Sequence, residues 1–402
     1  MKPYISKDIV SFLLLTLPTD GVCRVICNLA QGFVERGLKV DIVVLKAEGD
    51  ALTWIPPSVR VVELKTQTKG FHKLLYLFSL IRYLRKVQPS TLIVSRDDIN
   101  LGSFAKYLAM VSTQVVLICH TNLSQYLQHS PASVRNSFSA YLLKRFFWFY
   151  NWADAIVAVS QGVADSLARL AGRPLKQISV IYNPVVTREL LLKAKEPVNH
   201  PWFAPRQPPV ILGVGRLQAL KDFATLIRAF ALVKQRIPVR LMILGEGEER
   251  SQLEALIDEL GLSADVSLPG FVSNPYAFMA KASVLAASSL CEGFGNVVAE
   301  ALACGTPVVS TDCPSGPAEI LEFGNYGALI PLADVEALAE AILSTLTHST
   351  NSEVLRQRAE KFSLETAVDR YLEVLKIDSA QRAVTRNTLS KIQLEPSGSH
   401  CP

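Results

Sequence analysis

Short apolar runs alternate with amphipathic stretches along the whole chain, and the alternation is played out twice. In the first half the runs are Ile9–Thr16, Lys39–Leu45, Arg60–Leu64, Thr91–Val94, Val115–Cys119, Ala155–Val159 and Ile178–Ile181. In the second half they are Val210–Val214, Val239–Leu244, Val266–Leu268, Ser283–Ala287, Pro307–Ser310 and Ala328–Leu332. Their length and apolar content are those of buried strands, and strands that alternate with helices build doubly wound parallel sheets. Between the halves, Glu196–Pro209 carries five prolines and reads as a stiff link. The expected organisation is a Rossmann-like domain over 1-195, the link over 196-209, a second Rossmann-like domain over 210-377 and a polar tail over 378-402 that lacks periodicity. A helix around Glu353–Lys376 either closes the second domain or crosses back to the first. The fold class is thus α/β, with two doubly wound domains facing across a cleft and ligands held at the carboxyl ends of the strands.

A chain of 402 residues is too long for one ordinary core, which fits two domains. With 49% hydrophobic and 19% charged residues it is a folded protein and not a disordered one. No apolar run approaches the ~20 residues needed to span a bilayer. Ile9–Leu17 follows Lys2 and Lys7 but runs into Pro18-Thr19-Asp20-Gly21 with no small-residue cleavage site, so it reads as a buried strand. The seven cysteines are scattered, without a Cys-x-x-Cys pair, which implies a reduced cytoplasmic protein and no zinc site.

Charge is divided unevenly. Residues 1–195 hold 24 Lys/Arg against 12 Asp/Glu, a net +12, whereas residues 196–402 hold 17 against 24, a net −7. Between residues 64 and 153 there are eleven basic residues and two acids, Asp97 and Asp98. This stretch holds two basic, aromatic helical segments, 71-87 and 134-151. Each has two readings: an aromatic core face with a solvated basic face, or a surface that lies on an anionic membrane, each basic residue contributing roughly 1 kcal/mol there. The pair together tilts the reading towards a membrane, and hence towards a peripheral location at its inner face. Nucleic acid is not an expected partner, because no recognition motif accompanies the charge.

The densest chemistry lies around Glu292. Cys291-Glu292-Gly293-Phe294-Gly295-Asn296-Val297 leaves the strand Ser283–Ala287 and opens a helix expected over Val297–Cys304, with Asn296 as N-cap and Gly305 as stop. A ligand there meets a helix N-terminus, which favours anionic groups. Glu300, in the first turn, can accept hydrogen bonds from a vicinal diol such as a ribose, and Glu292 can do the same for a sugar hydroxyl. The plain alternative is a capped surface helix with acids in its first turn. A second cluster follows the strand Val210–Val214, where Gly213 and Gly215 let a turn approach a ligand. Arg216 then offers a fork for phosphate oxygens and Lys221 a movable point charge. Asp222 is the expected cap of the helix that follows. That turn has its own plain reading as a solubilising one.

The stretch CEGFGNVVAEALACGTPVVSTDCPSGPAEIL resembles the donor-site signature of the retaining glycosyltransferases of family 4, a GT-B group whose signature is Glu, seven residues, Glu, then an apolar strand. It is most similar to the bacterial subset that extends saccharides on lipid carriers or cell-surface glycans. The resemblance implies that Arg216 and Lys221 hold a donor diphosphate, that Glu292 and Glu300 hold sugar and ribose hydroxyls, and that Gly270 and Phe271 border the base. It implies further that Gly21 opens a first-domain helix towards the donor and that His120 approaches the donor sugar. Relatives carry two glycines where this chain has Asp20-Gly21. Retention of configuration, a UDP-sugar donor, no metal and no cofactor, the nucleotide sugar being a substrate, and a lipid-linked or glycan acceptor all follow from the resemblance. A nucleotide-sugar epimerase of the same fold and a non-catalytic nucleotide-sugar-binding protein remain open beside it.

Overall fold

The computed structural model describes residues 6–64, 72–95, 99–122, 124–125 and 152–377. The segment 134-151, Phe71 and the tail 378-402 lie outside the described residues. The strands are β1 Ser6–Leu13, β2 Lys39–Val44, β3 Arg60–Glu63, β4 Pro89–Ser95, β5 Gln114–Cys119, β6 Ala155–Ala158 and β7 Ile178–Val180, then β8 Val210–Val214, β9 Arg240–Leu244, β10 Val266–Gly270, β11 Val284–Ala287, β12 Val308–Thr311 and β13 Ala328–Ile330. The α-helices among the described residues are α1 Gly21–Glu35, α2 His72–Val87, α3 Ile99–Ala109, α4 Gln161–Ala171, α5 Arg188–Lys193, α6 Phe223–Arg236 and α7 Arg250–Glu259. They continue with α8 Pro275–Lys281, α9 Asn296–Cys304, α10 Pro317–Ile320, α11 Val335–Thr347, α12 Ser352–Ala359 and α13 Leu364–Val374.

Two parallel sheets result, ordered β3-β2-β1-β4-β5-β6-β7 and β10-β9-β8-β11-β12-β13. Each starts at an inner strand, grows outward one way and then reverses, which puts a topological switch point beside β1 in one and β8 in the other. The described residues divide into two compact units, the first running to Ile118 and including the stretch that ends at Ile156 and the one that begins at Ala367, the second including the stretch that begins at Cys119 and Val157–Thr366.

In the first unit, α1 is capped by Asp20, whose carboxylate accepts from the Cys23 N–H at 2.9 Å, and ends at Gly37 with φ 79°. Its stripe Val25, Ile26, Leu29, Ala30 and Phe33 is buried, with the Phe33 ring 5.8 Å from that of Phe12 on β1. Full burial of each such large side chain stabilises by about 1.5–3 kcal/mol. Parallel pairing sets Ser11, Asp41 and Arg60 side by side on β1, β2 and β3. Buried Asp41 accepts from Arg60 Nε at 2.8 Å and from the Tyr83 hydroxyl of α2 at 2.7 Å, so a single carboxylate ties α2 to β2 and β3, and the Tyr83 hydroxyl also meets that of Ser11 on β1 at 2.7 Å. Burial, and then the Asp41 charge, push the Tyr83 phenol up.

The expected helix over Glu353–Lys376 is two helices. α12 runs through a short 3-10 turn to Ser363, whose hydroxyl accepts from the Thr366 N–H at 3.2 Å and caps α13. The later part of α13 belongs to the first unit: Tyr371 packs edge-on to Phe33 at 6.2 Å, Asp369 pairs with Arg36, and the Val374 carbonyl accepts from Gln114.

In the second unit, Asp222 caps α6 by accepting from the Thr225 N–H at 3.3 Å and its hydroxyl at 2.7 Å. The stripe Phe223, Leu226, Ile227, Phe230 and Val233 is buried within a core shared with β8, β9, β11 and α11. Gly213 on β8 makes this packing possible, because a Cβ there would stand 3.1 Å from both Leu226 and Phe223.

Candidate donor site

β8 and β11 are parallel neighbours, with Ile211 opposite Val284 and Leu212 opposite Leu285, so the turns that follow them leave the sheet at the same edge. The turns are then joined to each other. The Leu290 N–H donates to the Leu220 carbonyl at 2.9 Å, and the Ser288 hydroxyl donates to the Lys221 carbonyl at 2.8 Å. As a consequence Lys221 reaches across and its ammonium pairs with the Glu292 carboxylate. Both side chains are mostly buried, at 19% and 14% exposure, and the Ser289 hydroxyl donates to the same Glu292 oxygen at 2.7 Å. A half-buried charged pair with a hydroxyl donor is held more firmly than a surface ion pair.

Arg216 stands on the same turn in solvent, 69% exposed, with Glu248 at 3.9 Å. Its guanidinium is therefore loosely held. Gly215 donates its N–H to the Leu244 carbonyl at 3.0 Å, and a Cβ would meet its nearest atom, on Phe223, only at 3.4 Å. The closer approaches belong to the neighbouring turn. A Cβ on Gly245 would fall 1.9 Å from the Gly215 carbonyl oxygen, and one on Gly247 would fall 2.1 Å from that of Leu217. Gly245 also donates to the Gly270 carbonyl at 2.9 Å, which stacks the turns after β8, β9 and β10 at one edge. Gly270 has φ 89°, and Phe271 beside it is 61% exposed, available to a planar ligand. Burial and the neighbouring Asp222 and Glu248 carboxylates raise the Glu249 carboxyl on this edge.

The Glu292 loop is fastened from several sides. A Cβ on Gly293 would lie 1.8 Å from the His120 carbonyl oxygen, so the backbone of the His120 loop rests directly on Gly293. The Ser160 hydroxyl donates to the Gly293 carbonyl at 2.6 Å, and Asn122 donates to Ser315, which in turn donates to the Glu292 carbonyl. Gly295, with φ 91°, takes the cap position of α9 in place of the expected Asn296, which is the first helical residue. The Asn296 side chain is engaged elsewhere, accepting from Asn183 at 2.9 Å. Phe294 is buried, its ring 5.7 Å from Tyr182 and 5.5 Å from Phe362, so its side chain serves packing. On α9 the residues from Val298 to Cys304 are buried except Glu300, leaving Asn296, Val297 and Glu300 as its partly exposed stripe. Those three are candidate donor residues.

The structure therefore brings Gly215, Lys221, Glu292, Gly293 and His120 into one cluster and places Gly270 and Phe271 on a linked turn of the same edge. Gly21 lies in the first unit at the start of α1. Sequence reasoning missed Glu319 on α10, whose carboxylate accepts from the N–H groups of Gln161 at 2.7 Å and Gly162 at 3.0 Å at the start of α4. No local pattern marks it. The thiols beside the site are inert: burial, then Glu292, push Cys291 up to about 11, and Cys313 is raised in the same way. Chemically, the cluster offers cations for an anionic leaving group and carboxylates for hydroxyls.

Two doubly wound parallel sheets of this kind are the architecture of the GT-B glycosyltransferases, among other proteins. Residues 19–189 match the model of Glycosyltransferase Family 4, and residues 196–362 match that of Glycosyl transferases group 1. The chain belongs to this glycosyltransferase family. A Campylobacter jejuni N-acetylgalactosamine-N,N'-diacetylbacillosaminyl-diphospho-undecaprenol 4-alpha-N-acetylgalactosaminyltransferase is 33% identical over 61% of this chain and 64% of its own length. The Rhizobium meliloti lipopolysaccharide core biosynthesis glycosyltransferase LpsE is 33% identical over 58% of this chain and 66% of its own. The matched region thus spans somewhat less than two thirds of these relatives. Anabaena HepE, solved in complex with UDP-glucose, shares the fold with a TM-score of 0.73 at 22% identity, covering 92% of this chain and 99% of that one.

Proposed function

We propose that the protein moves a sugar from a nucleotide-sugar donor, a UDP-sugar, to a lipid-linked oligosaccharide or surface-polysaccharide acceptor, with retention and without a metal. The observation that carries this reading is the Lys221–Glu292 pair, set beside the start of α9 and the exposed Arg216. A bound diphosphate would draw Lys221 and Arg216 to its oxygens, which releases Glu292 to accept hydrogen bonds from the donor sugar. Glu300 would hold the ribose, Phe271 and Gly270 would border the base, and His120 would flank the sugar. The names of the undecaprenol-linked and lipopolysaccharide-core relatives support the acceptor class.

In the transfer step the bond between the anomeric carbon and the β-phosphate oxygen breaks. The acceptor hydroxyl attacks the same face, and its proton passes to the departing phosphate. Arg216 and Lys221 stabilise the charge that develops on the leaving diphosphate, a contribution of about 2–4 kcal/mol for a single well-placed donor. No side chain is required as nucleophile, and Glu292 keeps its role on hydroxyls.

Purified full-length protein is to be incubated with a panel of UDP-sugars, with and without a membrane-lipid extract, in the presence and absence of EDTA. The expected result is UDP release with one donor, dependent on the extract, insensitive to EDTA and giving a product of unchanged anomeric configuration. An inverted product defeats retention, and loss of turnover in EDTA defeats metal independence. Release without extract points to hydrolysis or epimerase chemistry, and no release from any donor by folded protein defeats the reading.

A further inference from the structure

In the second unit, both side chains that hold the Glu292 carboxylate reach the same oxygen. The Lys221 ammonium and the Ser289 hydroxyl donate to Oε1, and among the described residues no protein group donates to Oε2. The two donors differ in freedom. Lys221 carries its charge at the end of a flexible four-carbon stem. Ser289 has a short reach, is 4% exposed and stands on a fixed backbone. Its carbonyl accepts from the buried Thr311 hydroxyl at the end of β12, and the Leu290 N–H beside it donates to the Leu220 carbonyl at 2.9 Å. A serine that only closes such a turn satisfies its hydroxyl on the main chain, as neighbouring Ser288 does on the Lys221 carbonyl at 2.8 Å. Ser289 donates to the Glu292 carboxylate instead.

A nucleoside diphosphate that draws Lys221 away takes from Glu292 its counter-charge. The Glu292 side chain is only 14% exposed, so water does not fully replace the ammonium. A charged group left without a donor in such a place loses far more than one ordinary hydrogen bond. We propose that Ser289 is a positioning residue for donor binding: it keeps Oε1 when Lys221 moves to the diphosphate and leaves Oε2 to accept from one hydroxyl of the donor sugar. The inference rests on the donor reading given above and deepens it. One charge-assisted bond persists through the exchange, so the carboxylate keeps its direction without the ammonium. Glu292 then grips a single sugar hydroxyl and not a vicinal pair, because its other oxygen stays with the protein. Lys221 is free to serve the leaving group while Glu292 serves the sugar. Neither could do so if the ion pair were the sole support of both.

The test is calorimetric UDP binding to the full chain and to Ser289→Ala, Glu292→Gln and the double variant, with a thermal midpoint recorded for each. Ser289→Ala is expected to weaken UDP binding about 10-fold, because release of Lys221 now strands the carboxylate. In the Glu292→Gln background the same substitution should leave UDP affinity unchanged, since Lys221 leaves a neutral amide at little cost. Ser289→Cys keeps the side-chain volume and donates only weakly, so it should follow Ser289→Ala and stands in for it if the alanine variant does not fold. Transfer by Ser289→Ala should fall about 10-fold to 100-fold in kcat. A serine that only packs the turn would lower the thermal midpoint and act alike in both backgrounds. Equal UDP affinity of wild type and Ser289→Ala overturns the proposal, as does an equal loss in both backgrounds. Failure of folded wild-type protein to bind UDP is a different result, which removes the donor reading itself and the inference with it.

Discussion

Lys221 and Glu292, 71 residues apart in sequence, share one mostly buried ion pair at the carboxyl edge of the second sheet. Each compensates the other's burial, so removing one leaves a partly desolvated charge behind. Lys221→Ala is expected to lower transfer about 30-fold to 1000-fold, since a diphosphate-stabilising charge is lost. Glu292→Gln keeps the shape and frees Lys221, so it should bind UDP at least as tightly as wild type while turning over poorly. Calorimetric UDP binding alongside initial rates separates the two; a Glu292→Gln protein with unchanged rates would remove Glu292 from the site.

Gly293 and Gly215 make opposite predictions although both lie on turns of the candidate donor site. A Cβ at Gly293 would sit 1.8 Å from the His120 carbonyl oxygen, backbone against backbone, whereas at Gly215 the nearest atom is the end of the Phe223 ring at 3.4 Å. Gly293→Ala should therefore cost about 1–3 kcal/mol or more through forced displacement. Gly215→Ala should fold with a midpoint near wild type and any loss confined to donor affinity. Urea denaturation of the two variants tests the contrast, and equal stability would mean that the His120 loop is not packed as described.

Glu319 holds the start of α4, accepting from two backbone N–H groups that otherwise lack a helical partner. Because Ser160 at that helix start also bonds the Gly293 carbonyl, the carboxylate steadies the donor loop indirectly. Glu319→Ala should cost about 1–2 kcal/mol of stability, comparable to loss of an N-cap. It should also raise the donor KM more than it lowers kcat. Retention of full stability in Glu319→Ala would show that the contact is incidental.

Features set by near neighbours in sequence were legible; those set by distant partners were not. Asp222 could be read as the cap of α6, and the buried stripe from Phe223 to Val233 follows from helical spacing alone. Gly305 stops α9 in the left-handed conformation, as its position predicts. Asn296 is a good cap by type, yet Asn183, 113 residues away, takes its side chain and Gly295 caps instead. Phe294 sits inside a binding signature, but Tyr182 and Phe362 bury its ring, and nothing local distinguishes a packing Phe from a contacting one. The break between α12 and α13 did leave a local trace. Ser363, three residues before Thr366, is a cap-forming residue that the continuous amphipathic pattern overrode.

The thiols beside the site predict an alkaline weakness. Cys291 is pushed up to about 11 by burial and then by the Glu292 charge, and Cys304 to about 12 by burial and then by Glu300. An unfolded chain releases the thiol proton near its ordinary value of about 8.5, so the folded state binds the proton more tightly. The resulting stability is complete below about pH 8.5 and is lost as pH rises through the folded values of about 11 and 12. At pH 10.5 the Cys291 contribution should have fallen by about 2 kcal/mol relative to pH 8. Cys291→Ala should be less stable than wild type at pH 8 through its small cavity, and the gap should narrow or vanish by pH 10.5. Urea midpoints of both proteins across this range decide the matter, and a constant gap would show that the Cys291 thiol ionises alike in folded and unfolded chains.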